Sequence, residues 1–198
     1  MVDAKTIATY DAKAGDYIKL TQQDAPDASL QGFIELMPPG AHVLDLGCGP
    51  ATSSAHMRAA GLIADPVDAS PGMVTLANET HEIGARLGTF GDIDAVDFYD
   101  GIWANFSLLH APRADLPRHL AALYRALKPG GIFHIGMKTG EGSARDGIDR
   151  LYTYVTVVEL DALLRAAGFE TLDTREGSER GLAGTIDPFV IMRARKRG

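Results

Sequence analysis

The sequence predicts an α/β fold with a mostly parallel sheet that is covered by helices on both faces. Short apolar runs typical of strands alternate along the chain with segments of helical periodicity. This alternation is the pattern of successive βαβ units. With 198 residues, of which 45% are hydrophobic, the chain is long enough to bury one core and short for two. We therefore expect a single domain over residues 1–198.

Five apolar runs are predicted as strands, at residues 43–46, 62–67, 101–104, 131–137 and 189–193. Helical patterns occupy residues 51–60, 71–78, 113–127 and 156–167, and Gly168 is a natural stop for the last of them. Pro66 is unusual inside a strand because it cannot donate a ladder hydrogen bond. It predicts a bulge or the edge of regular pairing.

The two ends of the chain differ from this core. Apolar residues at helical spacing in residues 1–39 predict two helices, and the Pro38-Pro39-Gly40 sequence is expected to end the second. Residues 139–150 are rich in glycine and charge, which predicts a polar loop after a strand. In an open α/β sheet such loops border the ligand crevice.

Composition excludes several classes of protein. A net charge of −7 and a pI near 5.3 argue against non-specific nucleic-acid binding, which needs a surplus of basic residues on one face. No apolar run approaches the roughly 20 residues of a membrane span, and the first residues lack a secretory signal, so we expect a cytoplasmic protein. Cys48 is the only cysteine, which excludes an internal disulfide and a multi-cysteine metal site.

The strongest motif is Val-Leu-Asp-Leu-Gly-Cys-Gly-Pro-Ala at residues 43–51, a strand that runs into a glycine turn and opens a helix. Gly47 and Gly49 permit backbone angles closed to other residues and let the main chain approach a ligand. A tight turn without any ligand is the alternative. The motif resembles the first motif of the class I S-adenosylmethionine-dependent methyltransferases, which implies that the turn, with Cys48, holds the methionine part of that cofactor.

Turn chemistry disfavours a dinucleotide as the ligand. A nucleotide oxidoreductase needs G-x-G-x-x-G, but Thr52 stands at the third small position and Asp45 would add negative charge beside a pyrophosphate. A cationic sulfonium instead favours an acidic residue such as Asp45. The family often has glycine where Ala51 stands, and alanine is small enough to replace it.

Two further acidic positions follow along the chain. Asp68, before Ala69, ends a predicted strand, and a carboxylate there can accept both hydroxyls of a ribose. The resemblance implies that Asp92 meets the adenine amino group, while Ile93 and Met73 form apolar walls for the ring. A plain turn residue is the alternative for Asp92, and helix initiation accounts for the adjacent Ser70-Pro71 pair.

Residues 99–110 resemble the family segment beside the transferable methyl group. The resemblance implies main-chain contacts from Asn105 and Phe106 to the methionine end of the cofactor. His110 is a candidate general base, because an imidazole suits proton transfer near neutral pH. Packing at the start of a helix before Pro112 is the favoured alternative.

The Leu-Lys-Pro-Gly-Gly turn at residues 127–131 completes a match over residues 43–138. The family fold implies a three-layer α/β/α sandwich around a Rossmann-like sheet of seven mostly parallel strands, the last one antiparallel and ending near Ala194. Residues 1–39 would form a helical cap or lid, residues 40–138 the cofactor-binding core, and residues 139–198 the acceptor-side loop and final strands.

The acceptor is expected to be a small molecule. Tyr10 and Tyr17 would close a lid whose aromatic faces suit the sulfonium, unless both rings only fill core between helices. Five residues around the 139–150 loop would bind a small anionic or polar acceptor: Lys138, Arg145, Arg150, Tyr152 and Tyr154. Pairing of these cations with acidic residues of the same loop is the alternative.

The resemblance implies methyl transfer with release of S-adenosylhomocysteine, achieved chiefly by positioning of donor and acceptor. A protein that binds S-adenosylmethionine without catalysis, as a sensor or assembly partner, would contain the same cofactor residues. No residue set predicts a metal site. Neither the methylated atom nor the oligomeric state follows from the sequence.

Overall fold

A computed structural model of the chain describes residues 3–21 and 24–198, so residues 1, 2, 22 and 23 of the predicted N-terminal cap lie outside the described residues. The helices of the described part are α1 (Ala4–Thr21), α2 (Ala28–Ile34), α3 (Thr52–Ala59), α4 (Pro71–His81), α5 (Leu116–Ala126) and α6 (Val157–Ala166). Short 3-10 helices cover Phe90–Asp92, Leu108–His110 and Arg113–Asp115.

The strands are β1 (His42–Leu46), β2 (Ile63–Asp68), β3 (Arg86–Leu87), β4 (Tyr99–Asn105), β5 (Leu127–Lys138), β6 (Ser143–Arg145), β7 (Leu151–Thr153), β8 (Phe169–Arg180) and β9 (Ile186–Lys196). Seven of them form one sheet in the order β3-β2-β1-β4-β5-β9-β8, while β6 and β7 form a separate hairpin. Strands β1 to β5 run parallel to one another, and β9 runs antiparallel to both β5 and β8. The predicted fold is confirmed, including the antiparallel last strand.

Alternating side chains on the central strands separate two apolar layers. Leu44 and Ile102 point into a large core beneath α5 and α6, while Val43 and Trp103 point into a second core beneath α2 and α3. Because successive residues of a strand face opposite sides, each central strand supplies both cores. The result is the expected three-layer sandwich.

The strand order reverses between β1 and β4, because β2 follows β1 on one side of this pair and β5 follows β4 on the other. Ligands of open α/β sheets bind in the crevice outside the carboxyl ends of the strands at such a switch point. The crevice is bordered here by the ends of β1, β2 and β4. Helix α1 lies at the same edge, since its Asp11 carboxylate accepts hydrogen bonds from Ser70 Oγ (2.5 Å) and Gly72 N (2.9 Å) at the start of α4.

Three local expectations are changed by the structure. The 139–150 loop contains β6, which pairs with β7, so this segment is a hairpin and only partly a loop. Strand β8 follows Gly168 in a segment where no apolar run predicts a strand. Helix α2 ends at Ile34, before the Pro38-Pro39-Gly40 sequence that was expected to end it.

Pro66 keeps a regular register with Asp45 on β1, without a bulge. On its other side, β3 pairs only with Val67 and Asp68, so Pro66 lies at the edge of regular pairing. Its missing N–H therefore leaves no ladder hydrogen bond unmade on that side.

In the described ranges, no helix is both long and apolar enough to cross a membrane.

Candidate cofactor and acceptor site

The glycine turn after β1 has the backbone that its sequence requires. Gly47 and Gly49 have φ angles of +73° and +53°, in the left-handed region that glycine favours. A Cβ atom built on Gly47 would lie 2.4 Å from the Cβ of Ser107, so the turn also needs the absence of a side chain. The backbone N–H groups of Gly47 and Cys48 both donate to the carbonyl of Val67, which ties the turn to β2.

Ala51 follows in the same left-handed region at φ 60°. A small residue is tolerated there at a modest cost in backbone energy. Glycine would adopt this angle without that cost.

Asp68 at the end of β2 is held in a fixed orientation. Its Oδ2 accepts from Gly49 N and its Oδ1 from Ser70 N, each at 2.8 Å. Burial raises the pKa of this carboxyl above its ordinary value. A carboxylate has about four acceptor positions, so lone pairs remain available to a diol. Ser70 caps α4 by accepting from Met73 N at 3.1 Å, as its sequence context predicts.

Asp45 lies at the turn end of β1, and only 2% of its surface is exposed. Its Oδ2 accepts from Ser54 Oγ on α3 at 2.6 Å. Burial raises the pKa of Asp45 to about 7. The carboxylate is therefore poorly solvated, and a cation bound nearby would favour its ionised form.

The substitution Asp45→Asn should stabilise the ligand-free protein at alkaline pH. The folded protein holds this proton to a higher pH than the unfolded chain, so wild-type stability falls as the pH rises from about 4 to about 7. The uncharged amide removes that loss, which we expect to amount to about 2–4 kcal/mol at pH 8. Urea unfolding between pH 4 and 8 measures it; parallel curves for both proteins would contradict the prediction.

The end of β4 places main chain and hydroxyl groups beside the glycine turn. Phe106 has a φ of 55°, which is strained for a bulky side chain, and its N–H donates to Gly136 O at 3.1 Å. Ser107 Oγ is buried without a hydrogen-bond partner in the described part of the chain, as is Thr52 Oγ1 at the start of α3. Unmatched buried hydroxyls are uncommon, and these two are available to a bound water, ion or ligand.

Two cavities of about 310 and 70 Å³ meet at this point. Both are lined by Tyr10, Tyr17, Gly47, Gly49, Asn105 and Phe106. The smaller also contacts Asp68, Ala69, Met73, Ser107 and His110. The larger contacts Asp45, Cys48, Thr52, Lys138, Arg150 and Tyr152. Asp68 can accept hydrogen bonds from a ribose, and Asp45 can neutralise a sulfonium. The hydroxyls of Ser107 and Thr52, unpaired among the described residues, can bind an amino-acid end. These groups are suitable for S-adenosylmethionine.

Helix α1 carries the two predicted lid tyrosines into the crevice. Their rings meet edge to face, with centroids 5.6 Å apart. Tyr17 lies over the glycine turn, since a Cβ on Gly49 would be 3.3 Å from its ring. The Tyr10 hydroxyl hydrogen-bonds to His110 and Arg150 on the opposite wall. Both rings therefore line the cavities and also pack against protein groups.

His110 is hydrogen-bonded through both ring nitrogens. Nδ1 lies 2.7 Å from the carbonyl of Leu151, so it carries the proton, and Nε2 accepts from the Tyr10 hydroxyl at 2.8 Å. Burial lowers the pKa of His110 to about 4, so the ring is neutral at pH 7. Its basic lone pair is occupied by Tyr10 in this arrangement.

The basic residues near the 139–150 segment separate into two groups. Arg150 is 3% exposed, pairs with Asp146 at 2.7 Å, and donates to the Tyr10 hydroxyl at 3.0 Å. Lys138 pairs with Asp187 and lies over the Tyr152 ring, 4.0 Å from its centroid. Both cations line the larger cavity.

Arg145 and Tyr154 lie outside both cavities. Arg145 forms two hydrogen bonds with Asp3, of 2.8 and 3.0 Å, and so connects β6 to the start of α1. Tyr154 stacks on Tyr152, with ring centroids 6.1 Å apart.

Asp92 and Ile93 are also absent from the lining of both cavities. The Asp92 carboxylate accepts from Thr89 N at 2.7 Å and from Thr89 Oγ1 at 2.8 Å, in a capping box. These bonds to Thr89 lower the pKa of the Asp92 carboxyl. Ile93 packs in the large core.

Sequence reasoning missed several residues that line the larger cavity. They come from the β8–β9 hairpin and from the start of α2: Arg175, Glu179, Arg180, Leu182 and Asp27. Strand β8 lacks a regular apolar alternation, so no periodic signal indicated a strand that reaches the site.

Comparison with known proteins finds similarity to methyltransferases. Residues 43–131 match a family model described as a methyltransferase domain. A malonyl-[acyl-carrier protein] O-methyltransferase of Erwinia billingiae is 38% identical over 96 residues, which cover 46% of this chain and 37% of that protein. A trans-aconitate 2-methyltransferase of Deinococcus radiodurans is 30% identical over 169 residues, which cover 84% of this chain and 60% of that protein. The chain thus spans less than two thirds of either relative.

Among solved structures, the chain is similar to 1,6-didemethyltoxoflavin-N1-methyltransferase of Burkholderia thailandensis, which was crystallised with S-adenosylhomocysteine. The TM-score is 0.75 at 24% identity, with 98% of this chain and 88% of the other covered. This likeness concerns the fold.

Residues 43–131 thus match the methyltransferase domain of the class I S-adenosylmethionine-dependent methyltransferases, and S-adenosylmethionine is the cofactor that such a domain binds. These matches agree with the sequence of the glycine turn and with Asp45, both of which disfavour a dinucleotide as the ligand.

Proposed function

We propose that this chain transfers a methyl group from S-adenosylmethionine to a carboxylate oxygen of a small organic acid and releases S-adenosylhomocysteine. The observation that carries the proposal is the wall of the larger cavity, where Arg150 and Lys138 lie beside the rings of Tyr10 and Tyr152. Guanidinium and ammonium groups bind carboxylates by charge-assisted hydrogen bonds.

The state of His110 supports an acceptor that needs no base. Its Nε2 lone pair is engaged by the Tyr10 hydroxyl, and the ring has little affinity for a second proton at pH 7. A carboxylic acid is already ionised at that pH, so its oxygen can attack the methyl carbon as the bond from carbon to sulfur breaks. The electron pair of that bond remains on sulfur, and positioning is the main task left to the protein.

The names of two relatives agree with an acid as acceptor. Trans-aconitate and a malonyl group both carry carboxylates, and they name the acceptors of the Deinococcus radiodurans and Erwinia billingiae proteins. Because this chain spans only part of each relative, we take from them the chemical class of the acceptor and no particular molecule.

An assay of S-adenosylhomocysteine formation with a panel of acceptors tests the proposal. The panel contains di- and tricarboxylic acids, including malonate and trans-aconitate, together with amines and phenols of similar size. We expect turnover with one or more acids only. Turnover confined to amines or phenols would refute an acid acceptor, and cofactor binding without turnover would favour the non-catalytic alternative.

Within this function we assign the cofactor to the predicted residues that line the cavities. They are Tyr17, Asp45, Gly47, Cys48, Gly49, Asp68, Ala69, Met73, Asn105 and Phe106. For the acceptor we retain Tyr10, Lys138, Arg150 and Tyr152. His110 is better assigned to holding the Tyr10 hydroxyl than to accepting a proton.

Arg150→Ala should raise the KM for the acid acceptor, or lower kcat, at least tenfold. The change removes a charged donor worth roughly 1.5–3 kcal/mol from the cavity wall, where the acceptor would bind. Affinity for S-adenosylhomocysteine should stay within about threefold. Arg165→Ala, on the exposed face of α6, is the control because it removes the same charge from an ion pair outside both cavities. Normal kinetics in Arg150→Ala would remove this residue from the acceptor site.

The cap over residues 1–39 is proposed to act as a lid, residues 40–138 as the cofactor-binding core and residues 139–198 as the acceptor side of one domain. Support comes from α1, which contacts α4 through Asp11 and the β6–β7 hairpin through Asp3 and Thr9.

Removal of residues 1–20 should weaken S-adenosylmethionine binding about tenfold yet leave a folded sheet. The loss reflects the ring contacts with the sulfonium, worth roughly 0.5–2 kcal/mol, and the exposure of the cofactor to water. Calorimetry and circular dichroism measure the two effects. A truncated protein that binds the cofactor as tightly as the full chain would exclude a lid.

A further inference from the structure

His134 lies in the middle of β5, fully buried, directly behind the end of β4. Its ring stacks on Trp103 with a centroid distance of 3.6 Å and an interplanar angle of 18°. Phe33 closes the other side at 6.2 Å. A polar ring within an apolar stack loses its hydration, which is costly unless its nitrogens are used.

Only one of those nitrogens has a partner among the described residues. Nε2 lies 3.0 Å from Oδ1 of Asn105, whereas Nδ1 has none. An amide oxygen only accepts, so Nε2 carries the proton and donates it. Burial, with the charges of Arg193 and Arg175, holds the pKa of His134 well below its ordinary value. The ring is therefore neutral and carries a single N–H group.

This hydrogen bond fixes the direction of the Asn105 amide. Its oxygen faces β5, where a Cβ on Gly136 would be only 2.8 Å from Oδ1. The amide nitrogen diverges from the oxygen in the amide plane and is therefore directed away from His134. Asn105 lines both cavities at the point where they meet. A rotation by half a turn would require the other tautomer, whose Nδ1–H has no acceptor among the described residues, so the reverse orientation is disfavoured.

We propose that His134 is a positioning residue that turns the amide nitrogen of Asn105 toward the cleft, so that this position binds a carboxylate and rejects an ammonium group. The two hydrogens of the Asn105 amide nitrogen then face the cleft, and a ligand with both a carboxylate and an ammonium group would place its carboxylate there. The carboxylate can belong to the amino-acid end of the cofactor or to the acid acceptor. Only the second source rests on the proposed function.

The test uses variants of His134 in the full-length protein. His134→Phe keeps a flat ring on Trp103 but removes the donor, and His134→Gln restores a neutral N–H donor. Asn105→Asp replaces the amide donors by acceptors. Calorimetry compares S-adenosylhomocysteine with 5′-methylthioadenosine, which lacks the amino-acid end. Malonate is then titrated into each S-adenosylhomocysteine complex.

If the cofactor supplies the carboxylate, His134→Phe should weaken S-adenosylhomocysteine binding about tenfold and leave 5′-methylthioadenosine unchanged. If the acceptor supplies it, the malonate affinity should fall instead, with cofactor affinity unchanged. In either case His134→Gln should recover to within about threefold of wild type, and Asn105→Asp should lose at least as much as His134→Phe.

Two results would overturn the proposal. One is that His134→Phe lowers neither affinity, or lowers both nucleoside affinities equally, as a general loss of structure would. The other comes from the imidazole ¹⁵N spectrum of the wild type, which identifies the protonated nitrogen: a proton on Nδ1 would reverse the Asn105 amide. None of these measurements requires turnover, so failure of the proposed function is detected separately by the acceptor panel.

Discussion

Asp68→Ala is expected to weaken binding of S-adenosylmethionine and S-adenosylhomocysteine by about ten- to a hundredfold. The substitution removes charge-assisted hydrogen bonds worth roughly 1.5–3 kcal/mol each, at 1.4 kcal/mol per tenfold change in affinity. It also releases the N–H of Gly49, which the carboxylate holds at 2.8 Å in the ligand-free turn. Calorimetric titration of both proteins measures the effect.

Asp65 offers a control on the same strand. Its carboxylate is engaged by Arg86 and by the Tyr99 hydroxyl, and it lines neither cavity. Asp65→Ala should therefore change the melting temperature but leave cofactor affinity within about twofold. Equal affinities in wild type and Asp68→Ala would exclude Asp68 from the cofactor site.

Gly47→Ala is expected to lower the free energy of unfolding by about 3 kcal/mol or more and to abolish measurable cofactor binding. The new Cβ would overlap the Cβ of Ser107 at 2.4 Å, and alanine would be held at a φ of +73°. Left-handed backbone costs roughly 1–2 kcal/mol, and overpacking adds typically 1–3 kcal/mol. Urea unfolding and calorimetry give the two values.

Gly61→Ala separates these two costs. Gly61 has a similar φ of +84°, but a Cβ atom there would meet no atom within 4 Å. We expect only the backbone cost of about 1 kcal/mol and normal cofactor affinity. Equal losses of stability in the two variants would mean that Ser107 moves aside without cost.

The fold could be predicted because its signals are local. Each central strand is a short apolar run that ends in a turn residue, and each helix between them starts and stops at recognisable residues, such as Ser70 and Gly168. Strand β8 could not be predicted, because most of its side chains are exposed and polar. Pairing with β9, which a short turn at residues 181–185 joins to β8, stabilises that strand.

The candidate site was predictable to the extent that single residues define it. Gly47, Gly49 and Asp68 carry their chemistry in their own backbone or side chain, and all three line a cavity. Asp92 has the right residue type at a suitable spacing, its Oδ2 is held by Thr89 in a capping box, and its contact with the cofactor stays a prediction. A local capping interaction and a ligand contact have the same sequence signature.

Tertiary partners were beyond sequence reasoning. Arg145 and Arg150 look equivalent in the sequence, yet one binds Asp3 at the surface and the other is buried between two tyrosines. Likewise His134 lies in an apolar run, which predicts a buried strand and no polar contact. Its hydrogen bond to Asn105 depends on the register of β4 and β5.

The contacts of α1 with the β6–β7 hairpin have a consequence for the order of folding. Arg145 and Asp3 are 142 positions apart, and Tyr10 and Arg150 are 140 apart. Closing so long a segment is entropically unfavourable until the intervening sheet has brought its ends together. We therefore expect the parallel strands to form first and α1 to dock afterwards, so that the crevice is covered only when nearly the whole chain has folded.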